Sequence, residues 1–189
     1  MVSHVIPISP NTRRRAQGGV RGSPGTEWVV ADVVGDPALA LFSSTYFNKI
    51  DRKGRVSVPA AFRAALNGQS FAGIVVFPSP KLQALDAGGY DRLEDIAKSL
   101  DGLPEFSDEH EALRSVLGEA EQLPFDGEGR IILSQALIEH AGIGEQVAFV
   151  GAGRSFQIWE PARFQQHREE MRERVRQRGF TLPPRSPAT

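Results

Sequence analysis

Asn48-Lys49-Ile50-Asp51-Arg52-Lys53-Gly54-Arg55-Val56-Ser57-Val58-Pro59 is the stretch on which the fold turns. Two short strands, Phe47 to Asp51 and Arg55 to Pro59, are expected to form a hairpin around Arg52-Lys53-Gly54, where Gly54 supplies the positive φ of a tight turn. Side chains alternate along a strand, so Val56 and Val58 would face a core while Arg55 and Ser57 face away from it. Pro59 suits the first position of a helix, and Phe62, Ala65 and Leu66 form a short helical stripe ending near Asn67-Gly68. Around the turn, Lys49, Arg52, Lys53, Arg55 and Arg63 stand against a single acid, Asp51, which makes this the most concentrated cationic stretch of the core sequence.

The pattern occurs twice. Asp51 to Val58 aligns, 75 residues on, with Asp126-Gly127-Glu128-Gly129-Arg130-Ile131-Ile132-Leu133, so that Asp, Gly and Arg recur at the same spacing. Leu82-Gln83-Ala84-Leu85-Asp86 aligns in turn with Phe156-Gln157-Ile158-Trp159-Glu160, and Tyr90 with Phe164. Copies this small bury too little surface to stand alone, so the simplest architecture is two units sharing one core. Further strands are expected over Phe71 to Phe77 and Lys81 to Leu85. Tyr90, Leu93, Ile96 and Leu100 predict an amphipathic helix. A linker helix should begin after Ser107, an N-cap followed by Asp108 and Glu109, with Leu113, Val116, Leu117 and Ala120 as its apolar face. The last helix, Ala162 to about Arg178, has only the thin stripe Phe164, Met171 and Val175 and is expected to rest against a partner surface. The resulting division is a disordered extension over 1–41, a first repeat over 42–115, a second repeat with its C-terminal helix over 116–178, and a disordered tail over 179–189.

Composition narrows the function classes. The chain has 189 residues, a formal net charge of -1 and no cysteine. Lack of cysteine removes disulfides, thiolate nucleophiles and cysteine zinc sites, and fits a reducing cytoplasm. The four histidines lie far apart in sequence, so no metal and no cofactor are expected. No apolar run is long enough to span a bilayer. Near neutrality is a cancellation: the cationic turn and an arginine-rich C-terminal helix offset an acidic stretch from Asp101 to Leu123. Arg13-Arg14-Arg15 is followed by Ala-Gln-Gly-Gly rather than an apolar stretch, which argues against a twin-arginine export signal. No Ser-His-Asp arrangement, nucleophile elbow or phosphate loop is present, so the chain is read as a non-enzyme without a small-molecule substrate. Gly151-Ala152-Gly153 lacks the third glycine of a dinucleotide loop and reads as a hairpin turn.

An arginine projecting from a two-stranded ribbon can reach guanine edges in the major groove of double-stranded DNA. Arg55 is the first candidate for that role. Lys49, Arg52, Lys53 and Arg63 would neutralise phosphates, contacts that give affinity and register. Asp51 cannot bind phosphate, and would instead cap the turn amides or orient Arg55. The same pair also suits a plain surface salt bridge, and one copy alone does not separate the two readings. In the second copy Asp126 and Arg130 remain while Arg52 and Lys53 become Gly127 and Glu128. The first repeat is therefore expected to be the main DNA reader, with Asp126 and Arg130 serving structure or oligomer contacts.

Leu41-Phe42, followed by Asn48 to Pro59, resembles the opening of the MraZ family. The resemblance runs from there to about Arg178 and includes both Asp-x-x-x-Arg motifs, Asp51 with Arg55 and Asp126 with Arg130. It implies an α+β, β-rich fold of two tandem swapped-hairpin AbrB-like units, forming a pseudo-two-fold double-ψ-type barrel core with flanking helices. It further implies a repressor of the division and cell-wall gene cluster that binds promoter repeats as a homo-oligomeric ring, cytoplasmic and nucleoid-associated. The competing reading is an antitoxin-like interaction module with incidental DNA binding. The family usually begins with methionine and phenylalanine where this chain has Leu41-Phe42, so translation is expected to start at position 41 from an alternative codon; an intact mass beginning at Met1 would refute that.

Overall fold

The computed structural model describes residues 41–179. Of the disordered leader expected over residues 1–41 and the disordered tail expected over residues 179–189, residues 1–40 and 180–189 lie outside the described residues. The chain runs β1 (Thr45–Lys49), β2 (Arg55–Ser57), α1 (Ala60–Ala65), β3 (Gly73–Pro78), β4 (Leu85–Gly88), α2 (Tyr90–Asp101) and α3 (Asp108–Gly118). It continues through β5 (Glu121–Pro124), β6 (Arg130–Ile132), α4 (Gln135–Ala141), β7 (Gln146–Gly151), β8 (Phe156–Trp159) and α5 (Pro161–Arg178). The fold is α+β, with antiparallel sheets and helices attached to them.

Strand pairing corrects the simplest reading of the sequence. β1 and β2 do not form a ladder with each other; a lone bridge, Ile50 to Val56, links them. β1 instead pairs along its whole length with β7, Thr45 opposite Val150 through Lys49 opposite Gln146. The reciprocal exchange joins β3 to β5. A three-residue β2 offers β1 few ladder bonds, whereas β7 matches it residue for residue and buries Val147 and Phe149 in the process. The large sheet thus runs β1-β7-β8-β4-β3-β5, and replacing each strand by its counterpart in the other copy returns the same order reversed. Among the described residues the sheet is open, with β1 and β5 at its edges, so the closed barrel expected from the family resemblance is not found.

One core serves both copies. Phe62 of α1 packs edge-on against Phe42, Tyr46 and Phe149, and at a tilt against Phe156 with ring centroids 4.9 Å apart. Val56 and Val58 join Ile131, Leu133 and Leu137 in the same cluster. The predicted alternation therefore holds: both valines are buried, while Arg55 and Ser57 are exposed. Pro59 occupies the N-cap position, one residue before α1.

Helix positions follow the sequence closely. α2 buries Ile96, and the Ser107 hydroxyl caps α3 by accepting from the His110 amide at 3.1 Å. The strand expected over Lys81 to Leu85 is displaced: the ladder begins at Leu85 and ends at Gly88. The displaced strand is fixed by ladders on both sides, Leu85 to Gly88 against β3 and Leu85 to Ala87 against β8, and ends in a buried glycine whose added Cβ would press on the Arg92 side chain.

Candidate nucleic-acid interface

β2 and β6 form a separate two-stranded ribbon, and each of its strands comes from a different copy. Arg55 lies opposite Ile132, Val56 opposite Ile131, and Ser57 opposite Arg130. Val56 and Ile131 point into the core. Alternation then places Arg55, Ser57, Arg130 and Ile132 on the outer face, so both motif arginines share one surface. Their side chains remain 42% and 34% accessible. Ile132, across from Arg55, is 58% exposed, which is unusual for a large aliphatic residue in a strand.

Each turn is built the same way. The Asp51 carboxylate accepts from the amides of Lys53 (2.9 Å) and Arg55 (3.0 Å), and its second oxygen accepts from Arg55 Nε at 2.7 Å. Asp126 does the same with the amides of Glu128 and Arg130, both at 2.9 Å, and with Arg130 Nε at 2.7 Å. The carboxylate thus knits the turn amides and fixes the arginine beside it. Both acids are held below the ordinary carboxylate range, chiefly by the following arginine's amide and then by its guanidinium. Asp126 lies at about 2. The Arg130 guanidinium is shifted upward, first through its bond to Asp126. Gly54 and Gly129 both take positive φ, 78° and 72°.

Crossed main-chain bonds tie each turn to the other copy. The Val58 amide donates to the Gly129 carbonyl at 3.1 Å, and the Leu133 amide donates to the Gly54 carbonyl at 2.9 Å. Helices from the opposite copy back the turns as well. Ile138 of α4 touches the position a Gly54 side chain would occupy, and Arg63 of α1 fills the position a Gly129 side chain would occupy.

The candidate residues therefore divide into groups. Lys49, Asp51, Arg52, Lys53 and Arg55 are exposed around the first turn. Arg63, expected beside them, packs instead against Gly129 of the second turn, and its Nε donates to the Val58 carbonyl at 3.2 Å. It borders a cleft of about 300 Å³ that also touches Gln69, Phe71, Phe125 and Asp126. The two arginines also differ in their surroundings. Arg130 bonds to Glu128 at 2.7 Å in addition to Asp126, whereas among the described residues the ion pair found for Arg55 is with Asp51. Ile132 was not singled out from the sequence; the alternation of the second copy, with Ile131 and Leu133 inward, was the signal for it. Among the described residues no cluster of His, Asp or Glu is arranged to hold a metal ion, and no helix is long and apolar enough to cross a membrane.

These features define a class: an α+β protein of two interlocked repeats that displays a pair of Asp-x-x-x-Arg turns on one outward-facing ribbon. Residues 41–79 and 116–180 match the family model for the MraZ protein, described as antitoxin-like, and the chain belongs to the MraZ family. It is 41% identical over 145 residues to "Transcriptional regulator MraZ" of Rickettsia akari, covering 76% of this chain and 97% of that one. The proteins of the same name from Beijerinckia indica and Methylocella silvestris are 46% and 49% identical over 136 residues, 71% of this chain and 83% of each of theirs.

Proposed function

We propose that the chain is a DNA-binding regulator of transcription that reads double-stranded DNA through the first turn. One observation carries the reading: Arg55 stands on the outer face of the ribbon, held in place by Asp51, beside a turn whose side chains Arg52 and Lys53 are exposed and basic. A braced guanidinium can reach O6 and N7 of guanine, while Lys49, Arg52 and Lys53 neutralise the flanking phosphates. Arg63 lies against Gly129 of the second turn and borders the same cleft as Asp126, so it adds positive charge on that side of the ribbon. Asp126 and Arg130 serve chiefly to keep the ribbon in shape.

The names carried by the relatives support a regulator of transcription. The finer reading follows the family resemblance: repression of the division and cell-wall gene cluster, from promoter repeats, by a homo-oligomeric ring in the cytoplasm and at the nucleoid. In that reading 42–115 and 116–178 are two swapped-hairpin units, and the exchange of β1 and β5 between copies supports it. Ring assembly would let several turns engage spaced repeats at once and raise avidity.

Genomic fragments captured by the purified protein supply the duplex for the test. Replacing Arg55 by alanine is expected to weaken binding to that duplex by about 1–3 kcal/mol per engaged site and to relax base preference. Parental affinity in a gel shift with Arg55→Ala would refute the assignment. The antitoxin-like description of the family favours a second reading, a protein-interaction module. A steep loss of duplex affinity with salt supports the regulator; no duplex binding even at low salt supports the module.

A further inference from the structure

α5 is the counterpart of α2, since Tyr90 aligns with Phe164, and the two helices pack on counterpart strands, α2 on β3 and α5 on β7. Their outer surfaces differ. α3 lies against α2, whereas among the described residues no helix packs closely on α5. α5 is anchored by Phe164 near its start, but from Arg172 to its end every residue is exposed. Met171, Arg172, Val175 and Arg178 follow one another at helical spacing, so Val175, 47% exposed, sits in an arginine frame. Two helical turns with no burial gain nothing from tertiary packing, the usual source of helix stability in proteins.

The complementary surface is on the same molecule. Between Tyr90 and Gly118 eight acids stand against three bases, and in α5 six arginines stand against three glutamates. Leu113, Val116 and Leu117 of α3 are half-buried, and Asp108, Glu111, Ser115 and Glu119 follow the opposite, outer side. At the α2–α3 corner Phe106 is 86% exposed and takes a φ of 68°, a conformation that L residues adopt at a cost. The corner thus projects an apolar anchor beside an acidic helix.

We propose that the outer face of α3, with Phe106 at its edge, docks on the C-terminal half of α5 of a second copy of this chain. The neighbouring α3 supplies to α5 the covering helix that α2 has within its own chain. Acids meet arginines, and Phe106 meets Met171 and Val175. Because the two surfaces differ, each copy offers one to a neighbour on either side, and the contact repeats head to tail until the assembly closes. The inference rests on the homo-oligomer proposed above and names the surfaces that would make it.

Sedimentation of the full chain tests it. The parent is expected to self-associate, less so as salt screens the charges. Arg172→Glu with Arg178→Glu, or Glu111→Arg with Glu119→Arg, should raise the concentration for half-association about tenfold or more, and combining all four should restore assembly. A monomeric parent would sink both the ring and this interface. An associated parent whose assembly is unmoved by either reversal would sink the interface alone, as would a reversal of α5 that lowers DNA affinity while leaving assembly intact. A second measurement does not depend on the reversals folding. The chain has no cysteine, so Ser115→Cys with Val175→Cys can be joined by a short bis-maleimide. A ladder of covalent multimers supports the contact, and intact assembly without any ladder overturns it.

Discussion

The turn glycines give the sharpest test of the crossed architecture, because the two copies are alike in backbone and unlike in what surrounds them. Alanine at position 54 must take a φ near 78°, which costs an L residue about 1–2 kcal/mol. Its Cβ would also collide with the carbonyl oxygen of Leu133, a main-chain atom of the opposite copy that moves only with its strand. Shifting that strand strains the 2.9 Å bond from the Leu133 amide to the Gly54 carbonyl, worth about 0.5–1.5 kcal/mol. The expected cost of Gly54→Ala is therefore about 1.5–3.5 kcal/mol. Alanine at position 129 faces the same φ penalty, but its Cβ would meet the end of the Arg63 side chain, which can swing aside. Swinging aside gives up the 3.2 Å bond from Arg63 Nε to the Val58 carbonyl, a side-chain bond that water can replace, so the expected cost there is about 1–2.5 kcal/mol, below that at position 54, where a main-chain strand must move. Urea unfolding at one fixed protein concentration separates the two, since a slope of about 1–3 kcal/mol per molar turns 3 kcal/mol into a midpoint shift of about 1–3 M. Removing Arg63 first should lessen the damage done by Gly129→Ala and leave that of Gly54→Ala unchanged. Equal losses at both glycines, or a larger loss at 129, would refute the argument that the opposite repeat dictates the cost.

Other outcomes follow from the same geometry. Lys53→Ala should weaken binding to all duplexes alike and reduce the slope of log affinity against log salt by about 1, read from titrations at several salt concentrations. Asp51 and Asp126 titrate lower in the folded chain than in the unfolded one, so their contribution to stability is complete above the ordinary carboxylate value of 3.8. For Asp126 it is lost as pH falls toward about 2, and acid unfolding of Asp126→Asn should show a flatter profile in that window than the parent. Phe62→Ala removes the ring on which Phe42, Tyr46, Phe149 and Phe156 converge and should cost about 3–5 kcal/mol, seen as a drop in Tm with the far-ultraviolet spectrum retained.

Local pattern and internal repetition made much of this legible in the sequence. Alternation over Arg55-Val56-Ser57-Val58 assigned the inward and outward sides correctly, and Ser107 followed by acids marked the start of α3. Partner choice was not legible. The same alternation satisfies β1 beside β2 and β1 beside β7, and only the competition between a three-residue and a five-residue ladder decides it. Arg63 shows the same limit: its charge is plain in the sequence, but its direction depends on how α1 crosses to the other copy. The shift of β4 toward Gly88 was hidden because glycine is a poor strand former and the strand's position follows from its partners β3 and β8.

The crossed bonds from Val58 to Gly129 and from Leu133 to Gly54 carry a consequence for divergence. Two identical chains interlocked in this manner would present matching turns and be indifferent to which way round they met a duplex. A single polypeptide holding both turns can let one keep Arg52 and Lys53 while the other drifts to Gly127 and Glu128, without loosening the clasp between them. On the DNA-binding reading, the ribbon then has a head and a tail, and it can sense the direction in which its target is written.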